Sequence, residues 1–251
     1  MKRILHFELM KIWNPITLIY WVLFSVAFIV FSYDEPKFVK MFVGSGFRYS
    51  ENIILNIFFI SAYYKYLLAL FIIYITAREF SSNTIIRSVY EGFSRDELFV
   101  GRMVLLGLFV IFTSVLVRIL LLLVFLIKGH SLAAIFFMLF NYHFVIAEVF
   151  TCFTFGLLGI LLCSVTKSLY WSVGIFTIWA YGEYQMFLFL VMTSYQGVND
   201  YLPMNLMVNI QQKLMFNELT FQQVIYLYAI QLVALLLIYN RYKNITWLRK
   251  R

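Results

Sequence analysis

Charged residues are scarce in this sequence, and so is proline. Asp, Glu, Lys and Arg together make up 13% of the 251 residues, and there are three prolines. A soluble domain usually carries about twice that charged fraction, near 25%. The sequence is 63% hydrophobic, with a mean hydropathy of +0.86. This composition excludes an ordinary water-soluble domain and predicts an integral membrane protein.

The motifs of catalysis and nucleotide binding are missing as well. The sequence has no H-E-x-x-H, no G-x-S-x-G and no Gly-rich phosphate loop followed by Lys, the signatures of zinc proteases, serine hydrolases and P-loop nucleotide sites. Its two cysteines, Cys152 and Cys163, lie about 16 Å apart on one predicted helix, beyond disulfide reach. We therefore predict that the chain is not an enzyme and itself binds no cofactor or metal.

Long apolar runs dominate what is present. Runs of about 20 apolar residues recur without strand-like alternation, and a helix satisfies its own backbone hydrogen bonds in lipid. The sequence therefore predicts an all-α integral membrane fold, with residues 1–251 forming a single transmembrane domain. The six predicted spans cover residues 16–32, 53–77, 98–127, 133–165, 169–192 and 221–239.

Three stretches do not fit a simple crossing. Residues 1–14 mix basic and apolar side chains, which predicts an amphipathic helix in the headgroup layer. The run 133–165 is too long for one perpendicular crossing, so either it tilts or its part up to residues 141–143 lies at the surface. Residues 193–219 predict a short amphipathic external segment that lies on the membrane surface or dips into it.

The longest polar interruption with a basic excess runs from Arg78 to Arg102 and is called the polar segment below. Asn83 can cap a short helix over residues 84–91, and Gly92 can end it. The run Ser94–Glu97 spells the S-x-x-E capping box, which starts another helix. These capping residues predict a small helix between two spans, although an ordinary charged loop remains the alternative.

Two local patterns mark other helix ends and faces. Thr220 and Gln223 form a second capping box, which opens the sixth span. Gly156 and Gly159 lie three positions apart within an apolar run, and we predict that these small residues form a helix-packing notch. Both patterns predict local packing or capping rather than chemistry.

Lysine and arginine indicate the orientation. With both termini and the polar segment on one side, that side holds thirteen of them, at positions 2, 3, 11, 78, 87, 95, 102, 167, 241, 243, 249, 250 and 251. The opposite loops hold five, at positions 37, 40, 48, 128 and 213. The positive-inside rule then predicts that both termini are cytoplasmic. Because the basic residues flank apolar runs, orientation explains the net charge of +8 better than nucleic-acid binding does.

Four charged residues fall inside the predicted spans: Lys65, Arg118, Glu148 and Glu183. Each charge costs about 2.5–3.5 kcal/mol at a helix centre. At 1.5 Å per residue they lie about 20 to 28 Å from the cytoplasmic edge, so mutual pairing is expected. Either the four form a neutral cluster that locks helices together, or they line a translocation path between protomers.

The polar segment resembles the type-2 ABC transporter permease family (ABC-2 exporters). Members end the second span with an acidic residue, followed by a Gly-Thr-Leu-like step, a Ser-Arg-x-Glu run and a basic residue. These positions here read Glu79, Asn83-Thr84-Ile85, Ser94-Arg95-Asp96-Glu97 and Arg102. Asn83 replaces the usual Gly and Arg102 the common Lys; Asn tolerates the left-handed backbone, and Arg retains the charge.

The resemblance implies a permease subunit of the bacterial cytoplasmic membrane. Such a subunit dimerises with itself or with a homologous permease and pairs with two separate ABC ATPase subunits, which hold ATP and magnesium. The short helix would act as a coupling helix. The residues implied to take part in coupling are Glu79, Asn83, Thr84, Arg87, Glu91, Ser94, Arg95 and Glu97.

The cargo is less constrained. The aromatic content of 20% and the charges inside the spans suit amphipathic cargo, so we expect export of hydrophobic or antimicrobial-type peptides. In this the chain resembles bacterial toxin-peptide and bacteriocin exporters. Lipid or glycan export and drug efflux remain open, as does a membrane-embedded substrate-capture subunit without its own transport stroke.

Overall fold

The computed structural model describes residues 15–33, 53–81, 84–129, 136, 140, 142–191, 198, 201–204, 206–207, 210, 213 and 219–244. This part of the chain is helical and contains no strand, which confirms the all-α prediction for it. Its helices are α1 (Pro15–Tyr33), α2 (Ile53–Ser81), α3 (Thr84–Tyr90), α4 (Arg95–Ile127), α5 (Tyr142–Thr166), α6 (Leu169–Val191) and α7 (Phe221–Lys243). The amphipathic helix predicted over residues 1–14 lies outside the described residues.

Three of the described helices are long and apolar enough to cross a membrane: Arg95–Ile127, Val145–Thr166 and Phe221–Lys243. The last of them leaves much of its apolar surface uncovered, with Phe221 78%, Ile225 52% and Leu232 59% exposed. Such a continuous apolar face is unfavourable in water and is the surface that lipid tails cover. These features indicate a membrane protein.

The helix bounds differ from the predicted spans mainly at the polar ends. Helix α2 continues past residue 77 to Ser81, and α7 continues past residue 239 to Lys243. In the run predicted over 133–165, the described helix α5 begins at Tyr142. Upstream of it, the Phe140 N–H donates to the Phe136 carbonyl at 3.0 Å, and the residues between these points lie outside the described part of the chain.

Helix α5 occupies the centre of the bundle and packs against α2, α4, α6 and α7, with α2 its most extensive partner. A Cβ added at Gly156 would overlap the Leu106 side chain of α4, and one added at Gly159 would lie 3.2 Å from the Ala69 carbonyl oxygen of α2. The two glycines therefore allow α5 to approach two helices closely, which confirms the predicted packing notch.

Candidate functional site

The short helix of the polar segment ends as the sequence predicts. Gly92 has a φ of +94°, its N–H donates to the Val89 carbonyl at 3.2 Å, and the Phe93 N–H donates to the Ser88 carbonyl at 3.2 Å. This pair of bonds is a Schellman motif, for which Gly in the left-handed conformation is the usual residue. Helix α3 closes at Tyr90 rather than residue 91. Asn83 lies outside the described residues, as do the side chains of Thr84 and Arg87.

The predicted capping box at the start of α4 is confirmed. Ser94 Oγ accepts from the Glu97 N–H at 3.2 Å, and Glu97 Oε2 accepts from the Ser94 N–H at 2.9 Å. With the Schellman motif before it, this box leaves only a short turn between α3 and α4. The two helices therefore form a connected unit with few free backbone torsions between them.

Helix α3 is anchored by one face, and its last residue is exposed. Ile85 and Ser88 are buried, whereas Tyr90 is 67% exposed, and Glu91 and Gly92 beside it are exposed as well. Tyr90 was not among the predicted coupling residues. The signal was available, because Ile85 and Val89 at i, i+4 spacing define a buried face that excludes Tyr90.

Two other predicted coupling residues bind within the chain. Glu79 in the last turns of α2 forms a buried ion pair with Arg102 of α4, which joins the two helices that flank α3. Arg95 Nη1 donates to the Lys243 carbonyl of α7 at 2.6 Å. The exposed members of the predicted set, among the described side chains, are Glu91, Ser94 and Glu97. The described exposed side chains of this turn therefore include the carboxylates of Glu91 and Glu97 and the ring of Tyr90.

Deep in the bundle, Arg118 of α4 pairs with Glu148 of α5, as expected for charges of opposite sign at one level. The Tyr64 hydroxyl of α2 also donates to Glu148, and Arg118 Nη1 donates to the Ser114 carbonyl at 3.0 Å. Arg118 and Glu148 are both at most 2% exposed. The pair thus links α2, α4 and α5, with Tyr64 and Ser114 as partners that sequence reasoning missed.

The other two charged residues, Lys65 and Glu183, each form a hydrogen bond with the backbone between α6 and α7. Lys65 Nζ donates to the Met207 carbonyl at 3.3 Å, and Glu183 Oε2 accepts from the Met204 N–H at 2.7 Å. The Trp179 indole N–H donates to the other carboxylate oxygen of Glu183 at 2.5 Å. Helices α2 and α6 therefore both bind backbone groups between α6 and α7. We call the described residues there, 201–204, 206–207 and 210, the inserted segment.

Most of the described side chains of the inserted segment are buried. Met204, Leu206, Met207 and Ile210 are at most 4% exposed, and the Leu206 N–H donates to the Leu202 carbonyl at 2.8 Å, which makes a helical turn. The acid accepts from an N–H of the first turn, which matches the polarity of a helix N-terminus, and the base donates to a carbonyl further along. The described side chains of this segment therefore pack within the protein, and its placement relative to the membrane stays a prediction.

The described residues include no group of three or more His, Cys, Asp or Glu residues placed to hold a metal ion, and Cys152 and Cys163 are buried free cysteines. Comparison with protein-family models and with curated proteins gives no match to this chain. Proposals about function therefore rest on the geometry of the polar segment and on its sequence resemblance.

Proposed function

We propose that the chain is the membrane-spanning permease subunit of an ATP-driven ABC exporter, with six spans and both termini in the bacterial cytoplasm. The observation that carries the proposal is α3, a seven-residue helix held between two long helices. Its buried face carries Ile85 and Ser88, and its far end presents Tyr90. A helix anchored inside and exposed at one end suits a docking element for a partner outside the membrane.

The contacts around α3 favour force transmission. Glu79 and Arg102 join α2 to α4, and the capping box fixes the start of α4. Closure of two ATPase subunits against α3 would therefore move α2 and α4 with it. In the proposed mechanism, α2 and α6 of each protomer then separate from the other protomer and open a path. ATP and magnesium bind to the ATPase, and this chain supplies the docking surface.

The buried charges favour a helix-locking role over a path-lining role. Arg118, Glu148 and Tyr64 satisfy one another within one chain, and Lys65 binds a backbone carbonyl. A charge already engaged in this way has less capacity to bind cargo. The proposal of hydrophobic or amphipathic peptides as cargo therefore rests on the aromatic content of 20%; lipid, glycan or drug export are the alternatives.

A charge-reversal experiment tests the coupling role. In the complex with its ATPase, Glu91→Lys should lower transport per ATP hydrolysed and leave the chain folded, since Glu91 is exposed. Lys128→Glu, a reversal in the turn after α4, is the matched control and should leave coupling unchanged. Unchanged coupling in Glu91→Lys would count against the proposal. A substrate-capture subunit, the alternative of a different class, would purify alone with bound ligand.

A further inference from the structure

Helix α7 is tied to the polar segment at its last turn. Arg95 Nη1 donates to the Lys243 carbonyl at 2.6 Å, and the last carbonyls of a helix have no partner within it. A cation at this end is also favoured by the helix dipole. Arg95 therefore fixes the end of α7 against the first turn of α4.

Aromatic contacts strengthen the same junction. The ring of Phe99 lies 5.3 Å from that of Tyr239 and 6.1 Å from that of Tyr242, and Phe80 of α2 lies 6.4 Å from Tyr242. Tyr242 is 2% exposed. Both helices that flank α3 thus contact the end of α7. A displacement of the polar segment would therefore push directly on α7.

The opposite end of α7 contacts the inserted segment. The Tyr201 hydroxyl donates to Gln222 Oε1 at 3.1 Å, and the ring of Tyr201 lies 6.1 Å from that of Tyr226. Leu227 of α7 is fully buried in the same apolar cluster as Met204. The capping box of Thr220 fixes the first turn of the helix.

Between these ends α7 is an uninterrupted helix. It has no proline or glycine from Phe221 to Lys243, and its 23 residues span about 35 Å. Near the middle, Gln231 Nε2 donates to Thr154 Oγ1 of α5 at 2.6 Å. A continuous helix without a break moves as a body, because kinks need proline, glycine or an inserted group.

We propose that α7 is a mechanical link that couples the polar segment to the inserted segment, with Arg95 as the residue that holds the link. When the hydrogen bond from Arg95 to the Lys243 carbonyl breaks, α7 can shift. This shift loosens the packing of the inserted segment against α7. The link is a property of this chain alone. It holds whether or not an ATPase acts on the polar segment, so its failure is distinguishable from failure of the transport proposal.

The test measures opening of the inserted segment in the purified chain. Met204→Cys places a thiol where the native side chain is 1% exposed, and its rate of reaction with N-ethylmaleimide reports opening. Adding Arg95→Gln should raise this rate about fivefold or more. The matched control is Arg78→Gln, which removes an exposed arginine from the last turn of α2 and should change the rate by less than about twofold.

The native thiols separate local opening from general loosening. Cys152 and Cys163 are fully buried, and their labelling should stay unchanged in Arg95→Gln. Equal labelling rates of the thiol at position 204 in Arg95→Gln and Arg78→Gln would overturn the proposal. A joint rise in labelling of that thiol, Cys152 and Cys163 would overturn it as well. Coupling is reciprocal, so Tyr201→Phe should raise amide hydrogen exchange in residues 241–243 about fivefold. Unchanged exchange there would overturn the proposal independently of how Arg95→Gln folds.

Discussion

Arg118 and Glu148 form an ion pair whose two members are each bound a second time. Arg118 donates to the Ser114 carbonyl on its own helix, and Glu148 accepts from the Tyr64 hydroxyl. Removing two charges from water is costly, so a buried pair persists only with good geometry and further hydrogen bonds. This arrangement has both, and it joins three helices of the bundle.

Truncating one member of the pair should be severe. Arg118→Ala leaves Glu148 buried without its cation, and we expect a loss of about 3–5 kcal/mol. The measurement is the fraction of monodisperse protein and its thermal midpoint in detergent. Replacing both residues, Arg118→Leu with Glu148→Leu, should recover much of the loss, because no unpaired charge remains. Intact Arg118→Ala protein that no longer transports would instead support the path-lining role.

The two packing glycines should differ from the other glycines of the bundle. An added Cβ at Gly159 meets the backbone oxygen of Ala69 at 3.2 Å, and backbone yields less readily than a side chain. We expect Gly159→Ala to destabilise the chain by about 1–3 kcal/mol. Gly107→Ala is the control, since nothing lies within 4 Å of its Cβ. A loss in Gly107→Ala as large as that in Gly159→Ala would contradict the packing role.

The turn between α5 and α6 holds a non-glycine residue in the left-handed conformation. Lys167 has a φ of 53°, and its N–H donates to the Cys163 carbonyl at 2.8 Å. Glycine has no Cβ penalty at such a position, so Lys167→Gly should stabilise the chain by about 1 kcal/mol. Thermal unfolding in detergent measures it. Gly129→Ala, at a φ of 83°, should shift the midpoint the other way.

Glu183 should matter as a hydrogen-bond acceptor for the inserted segment. Glu183→Ala leaves the Met204 N–H without this acceptor in a buried position, which costs about 1–3 kcal/mol. Glu183→Gln retains a carbonyl oxygen and should lose less. Limited proteolysis within residues 201–210 measures the difference. Equal cleavage of the two variants would mean that the charge of Glu183, rather than the accepted bond, holds the segment.

Local signals predicted helix ends better than hydropathy did. Ser94, Gly92 and Thr220 each act through bonds to backbone groups a few residues away, and all three are found as the sequence indicated. From hydropathy we predicted that the second span ends at residue 77 and the sixth at residue 239, because polar residues follow. The helical backbone continues to Ser81 and Lys243, because a helix does not have to end where its side chains become polar.

The partners of the buried charges could not be predicted from the sequence. Helical rise placed Lys65, Arg118, Glu148 and Glu183 at one level, but it does not say which faces meet. Arg118 of α4 pairs with Glu148 of α5, and Gly156 allows these two helices to approach closely. Lys65 and Glu183 bind the backbone of the inserted segment, and only the packed bundle brings that segment to them.

The most direct test of the proposed transport role is to purify the chain after co-expression with the ABC ATPases of the organism that encodes it. The account predicts a complex with two permease chains and two ATPase subunits, measured by native mass spectrometry. Tyr90→Ala with Glu91→Lys should abolish ATPase retention without loss of the permease dimer, since Tyr90 is 67% exposed. A chain that purifies without an ATPase, or that retains one equally well after both substitutions, would contradict it.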